Sequence, residues 1–152
     1  MVCAAPGEDR RRRRTVPDDA HHGRVPQLAR AHRLDAVLER DGSTCIWCGR
    51  PFTDQIRPTT EHVVPRLKGG PSWLENEVAA CRRCNSERGH RSPVEWLDEC
   101  LRRGWEPDEP RLARSLTDLA AAIARVGGQR RARPYLAGQL RRLRRRGRSF
   151  AA

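Results

Sequence analysis

The sequence predicts a small α+β fold stapled by a bound metal, with flanking helices and a basic helical C-terminal tail. Three observations carry this expectation. Two C-x2-C pairs, Cys45 with Cys48 and Cys81 with Cys84, bracket the middle of the chain. Between them lie short β-prone runs and a Gly-Gly turn, and on both sides the apolar residues recur at helical spacing.

From Pro26 to Arg40, Leu28, Leu34, Val37 and Leu38 share one helical face, and Asp41-Gly42 stops the helix. Thr59 to Val64 reads as a first strand, Lys68 to Pro71 as a turn, Val78 to Ala80 as the returning strand, and Asn85 as the start of a helix. Ser92, Pro93 and Glu95 have the spacing of a capping box with proline in the first helical position, and that helix should run to about Arg103. Pro110 to Val126 carries the stripe Leu112, Leu116, Leu119, Ile123 and Val126 and ends at Gly127-Gly128. A last helix should span Pro134 to about Arg146. The expected organisation is a disordered Arg-rich segment at 1–25, one functional domain at 26–103 and a helical, Arg-rich extension at 104–152.

With 152 residues, 37% hydrophobic and 5% aromatic, the chain can build one thin core, and such cores usually need a staple. The paired cysteines supply one. Each pair can present two thiolates to a tetrahedral Zn²⁺, and two pairs fill the shell, which makes the site structural and leaves it no position for a substrate. Two disulfides are the competing reading; paired C-x2-C spacing in a cytoplasmic chain favours metal. Cytoplasmic location is expected because no run approaches the roughly 20 apolar residues of a membrane span, and the N-terminus has no apolar signal core. Cys3 and Cys100 read as plain thiols.

The net charge of +12 is concentrated at one end: residues 119–152 hold ten arginines and no acidic residue. That tail suits a polyanion such as DNA. Lys68 is the only lysine among 31 basic residues; arginine suits bidentate phosphate contacts, and compositional bias would produce the same count.

The region between the cysteine pairs reads Thr59-Thr60-Glu61-His62-Val63-Val64-Pro65-Arg66-Leu67-Lys68-Gly69-Gly70, then Trp73-Leu74-Glu75-Asn76-Glu77-Val78, and it leads into Cys81-Arg82-Arg83-Cys84-Asn85. An acidic residue and His before a Pro and a Gly-Gly turn, an Asn fourteen residues after the His, and C-x2-C-N together resemble the HNH endonuclease family. The resemblance covers about residues 32–98, with order and spacing kept throughout.

The resemblance implies a ββα-metal core. It implies His62 as the general base that activates water. It implies Glu61 and Asn85 as oxygen ligands of one catalytic divalent cation, Mg²⁺ or Mn²⁺, and Asn76 as the residue that holds the loop orienting the base. Two positions depart from the family's pattern: Glu61 stands where Asp is common, and Arg88 where Lys is frequent.

Arg66, Lys68, Arg82, Arg83, Arg88 and Arg91 surround these residues and are the expected nucleic-acid contacts, reinforced by the arginines from Arg130 to Arg148. His90 could reach metal or phosphate but reads as an exposed histidine; His21, His22 and His32 are given no role. Trp47, Trp73, Trp96 and Trp105 read as packing residues before base-stacking ones. The expected activity is hydrolysis of phosphodiester bonds in DNA, with a homodimer or larger assembly needed to cut both strands at once. The alternative is a zinc-stapled nucleic-acid adaptor without catalysis. A basic helix lying on an anionic membrane is a weaker third reading.

Overall fold

The computed structural model describes residues 28–149; the segment read as disordered, 1–25, with Cys3, His21 and His22, lies outside them, as does Pro26. Helix α1 (Arg30–Asp41) comes first and ends at Gly42, whose φ of 82° suits glycine. Val37 turns inward and is fully buried. Leu28, expected on the apolar face, instead precedes the helix and is exposed.

Strands β1 (Pro58–His62) and β2 (Glu77–Cys81) form a two-stranded antiparallel sheet in which Pro58 faces Cys81, Glu61 faces Val78 and His62 faces Glu77. β1 stops two residues short of the expected Val64. There the ladder changes partner: Val63 N–H still donates to the Asn76 carbonyl at 2.8 Å, but Val64 N–H donates to the Asn76 side chain. Helix α2 (Arg82–Arg88) begins three residues before the expected Asn85. The second cysteine pair does not precede this helix as a loop; Cys84 sits inside its first turn. The hairpin lies between α1 and α2.

Helix α3 (Pro93–Arg102) opens with the expected capping box: Ser92 Oγ accepts from Glu95 N–H, and Glu95 Oε2 accepts from Ser92 N–H, both at 3.3 Å. Helix α4 (Glu109–Val126) is capped by Asp108, which accepts Arg111 N–H at 2.8 Å. Helix α5 (Ala132–Ser149) starts two residues before Pro134, which a proline tolerates because first-turn N–H groups have no helical partner.

The extension is built onto the rest of the molecule. Asp108 N–H donates to the Ile46 carbonyl at 2.8 Å, and the Arg111 guanidinium reaches Thr44 O and Oγ1 at 2.9 and 2.8 Å. Arg131 donates to the Leu67 carbonyl at 3.0 Å. One continuous core joins Ile46 and Trp47 to Trp96, Leu97, Leu112, Leu116 and Leu119. Trp47 and Trp96 are fully buried, and Trp73 and Trp105 pack partly buried against the same cluster. Among the described residues no helix is long and apolar enough to cross a membrane.

Candidate metal centre and catalytic cleft

The first cysteine pair is a tight knuckle. A bridge between Thr44 and Pro51 closes it, Cys45 N–H donates to Arg50 O, and Gly49 N–H donates to Cys45 O, both at 2.9 Å. Gly49 is required twice over: its φ is 70°, and a Cβ would meet the Glu106 carbonyl at 2.7 Å. Ile46 N–H donates to Ala79 O at 3.1 Å and so ties the knuckle to β2.

These contacts bring Cys45, Cys48, Cys81 and Cys84 together, all buried, with the four sulfurs within 4.8 Å of one another. The four thiols are unbonded and converge as one cluster rather than as two separate pairs, which favours the metal over the two-disulfide reading. Cys48 and Cys81 sulfurs are 4.0 Å apart; four sulfurs each about 2.3 Å from a tetrahedral Zn²⁺ would be separated by about 3.8 Å. The cluster therefore fits structural zinc.

Its surroundings favour negative sulfur. Cys81 N–H points at Cys45 Sγ at 3.3 Å, and Arg50 places Nε 3.5 Å from Cys48 Sγ and Nη2 3.9 Å from Cys81 Sγ. The Cys45 thiol is pushed down to about 4 by its hydrogen bond with Cys84. The same contact pushes Cys84 up, so the pair shares a proton that a metal would displace. Cys100 lies outside the cluster, and burial pushes its thiol up to about 12.

Between the end of β1 and α2 is a cleft of about 200 Å³ lined by Glu61, His62, Pro65, Arg66, Asn85, Arg88, Gly89 and His90. His62 occupies the end of β1, half-buried, with Nε2 3.4 Å from Ser72 Oγ. Asn85, on α2, donates its amide to Thr59 Oγ1 at 3.0 Å and to Thr60 O at 3.3 Å. Asn76 is fully buried behind the cleft. Its Oδ1 accepts from Val64 N–H at 2.8 Å, and its Nδ2 donates to Val64 O at 3.1 Å and Pro71 O at 2.8 Å. The loop from Val63 to Pro71 thus closes on one side chain. Gly70 lies against this knot, and a Cβ there would meet the Val64 carbonyl at 1.8 Å.

Glu61 points inward. Trp47 Nε1 donates to Oε2 at 2.5 Å, and Arg88 pairs with Oε1. Burial pushes the Glu61 carboxyl up, opposed by the charge and hydrogen bonds of Arg88 and by the indole N–H.

Arg88 departs from expectation. Read from the sequence as a phosphate contact, it is 1% exposed; besides Glu61 it donates to His62 O at 2.9 Å and Val63 O at 2.6 Å, and it lies 5.1 Å over the Trp47 ring. It is an internal brace between α2 and β1. The cause is geometric: the last turn of a seven-residue helix aims this position at the strand, where three acceptors wait.

Of the other expected phosphate contacts, Arg66 lines the cleft and donates to Ser72 Oγ at 2.8 Å. Lys68 is exposed on the adjoining turn, and Arg82 is exposed on α2. Arg83 and Arg91 are exposed but lie over Trp105 and Trp96 at 4.5 and 5.0 Å. His90 is exposed at the cleft's rim and His32 on α1.

Sequence reasoning overlooked Trp47 as the partner of Glu61, Arg50 beside the thiolates, and Ser72 and Glu77 beside His62. Only Arg50 carried a readable signal, being two residues past the first cysteine pair.

Comparison with known proteins agrees with this arrangement: residues 45–101 match the family model described as HNH endonuclease. Residues 45–101 are thus similar to an HNH endonuclease domain. Over 72 residues the chain is also 35% identical to the CRISPR-associated endonuclease Cas9 of Corynebacterium diphtheriae, an alignment covering 47% of this chain. The chain spans only 6% of that relative's length. The HNH match takes in both cysteine pairs, the hairpin, α2 and nearly all of α3; α1, α4 and α5 lie outside it.

Proposed function

We propose that the HNH domain is a metal-dependent endonuclease that hydrolyses phosphodiester bonds in DNA. The observation that carries this reading is the convergence of His62, Asn85 and Glu61 on one cleft, on a family match to an endonuclease. His62 is the general base: it takes a proton from the attacking water, a task for which an imidazole is suited near neutral pH.

Glu61 and Asn85 are the residues that would hold the catalytic cation. The donor set fits a hard ion such as Mg²⁺ or Mn²⁺, which takes oxygen ligands and completes its shell with water and phosphate. The Asn85 amide nitrogen is engaged by β1, which leaves its oxygen as the donor, and each Glu61 oxygen keeps a second lone pair beside its hydrogen bond. When bound, the cation would neutralise charge on the leaving oxygen. Asn76 keeps the loop after His62 in place.

Arg66 and Lys68 at the cleft, Arg82 on α2, and the exposed arginines of α5 would bind the DNA backbone without reading sequence. Cytoplasmic location and cutting of both strands by a pair of copies belong to the same proposal.

One observation favours the second reading, a zinc-stapled adaptor without catalysis: both Glu61 oxygens are already engaged by Trp47 and Arg88. Supercoiled plasmid incubated with zinc-loaded protein decides between them, with EDTA, Mg²⁺ or Mn²⁺ and with His62→Ala compared at equal DNA affinity. Metal-dependent nicking lost in the variant is the expected result. Binding without nicking under every metal would establish the adaptor.

A further inference from the structure

Opposite His62 in the hairpin stands a carboxylate that the cleft's residues do not account for. The register pairs His62 with Glu77, and directly paired residues in an antiparallel sheet project from the same face. His62 Nε2 lies 3.8 Å from Glu77 Oε1 and 3.4 Å from Ser72 Oγ. Glu77 is fully buried, and Arg33 Nε on α1 donates to it at 3.0 Å. A buried carboxylate stays ionised only when it is paired, and Arg33 provides that pairing.

A neutral imidazole carries its proton on one ring nitrogen and its lone pair on the other, and neighbouring groups decide which. Two neighbours of Nε2 can accept a proton from it. A carboxylate oxygen lies within Coulomb range at 3.8 Å. The Ser72 hydroxyl takes a hydrogen bond from Arg66 Nη2 and still has a lone pair for Nε2. Among the described residues, further charges facing this strand end are Arg33 and Arg40 from α1, the latter donating to the Glu77 carbonyl at 2.7 Å, Arg66 from the turn, and Arg88 from α2, which donates to the His62 carbonyl.

We propose that Glu77 is a positioning residue for His62: its carboxylate keeps the imidazole proton on Nε2 and so leaves the Nδ1 lone pair to act as the base. The catalytic half of this statement rests on the nuclease reading; the tautomer does not.

The test is long-range proton–nitrogen correlation of the ¹⁵N-labelled, zinc-loaded chain at a pH where the ring is neutral, with His62 assigned by its loss in His62→Ala. Wild type should show the Nε2–H tautomer. Glu77→Gln should move part of the population to Nδ1–H and lower kcat for plasmid nicking by about tenfold or more at unchanged KM. Glu77→Asp, which keeps the charge, and Ser72→Ala should both retain Nε2–H.

An Nδ1–H ring in wild type overturns the proposal whether or not any variant folds. So does a tautomer unchanged in Glu77→Gln, or one that shifts in Ser72→Ala instead. Should the protein nick no DNA while Glu77→Gln still loses the Nε2–H tautomer, the nuclease reading falls and the role of Glu77 stands.

Discussion

Arg88 and Glu61 form an ion pair inside the protein, 1% and 4% exposed, that joins the last turn of α2 to the middle of β1. The pair is cross-linked beyond its charges, because the same guanidinium also holds the carbonyls of His62 and Val63. The residue before and the residue after the proposed base are thereby fixed to the helix that carries Asn85.

Removing one member of such a pair leaves a charge buried without compensation, at a cost of about 3–5 kcal/mol. Arg88→Ala should therefore lower the urea midpoint by that equivalent, measured with zinc kept in excess so that metal loss does not contribute. Arg88→Lys should recover only part of the loss, since one ammonium on a flexible stem cannot reproduce the planar fork that serves three acceptors. A Lys variant as stable as wild type would mean that charge alone matters at this position.

The loop after His62 depends on a different principle, hydrogen bonding without charge. Asn76→Ala leaves Val64 N–H, Val64 O and Pro71 O unsatisfied in a buried place, and should cost about 3 kcal/mol or more. Gly70→Ala should be comparably severe because its Cβ would stand 1.8 Å from the Val64 carbonyl. Gly89→Ala supplies the contrast: φ is 55° and ψ −120°, a conformation that L side chains rarely adopt, but nothing lies within 4 Å, so the cost is backbone strain of about 1–3 kcal/mol without a clash. Thermal unfolding of the three variants should rank Gly89→Ala as the mildest. Equal losses at both glycines would show that the crowding at Gly70 is relieved by a small loop movement.

Signals confined to a few neighbouring residues were readable in the sequence. The cysteine pairs, the Ser92–Glu95 box and the glycine stops at Gly42 and Gly127 each act through their own backbone, and the structure has them where the spacing placed them. The start of α2 was hidden because cysteine ligands look like loop residues, yet Cys84 occupies a helical turn. The partners of Glu61 and His62 were hidden for a deeper reason. Which helix a strand residue faces depends on register and on the packing of α1 and α2 against the hairpin, and neither Arg33 nor Arg88 is close in sequence to the residue it serves.

The zinc site gives the last expectation. A Zn²⁺ bound by four thiolates carries a net charge of about −2, and burying that charge requires donors aimed at sulfur. Cys81 N–H supplies one from the backbone, and Arg50 supplies the positive charge. Partners that orient and neutralise metal ligands typically change affinity by about 10–100-fold when removed. Arg50→Ala should accordingly release zinc to a colorimetric chelator about tenfold more readily, whereas Arg57→Ala, whose guanidinium contacts only the Asp54 carbonyl among the described partners, should not. Lowering the pH should widen the difference, because protons compete with the metal for the thiolates and the variant lacks the cation that favours the deprotonated form. Because the cluster joins the first knuckle, β2 and α2, stripping the metal entirely should unfold the hairpin. Zinc loss from Arg50→Ala at the wild-type rate would show that backbone N–H groups alone neutralise the cluster.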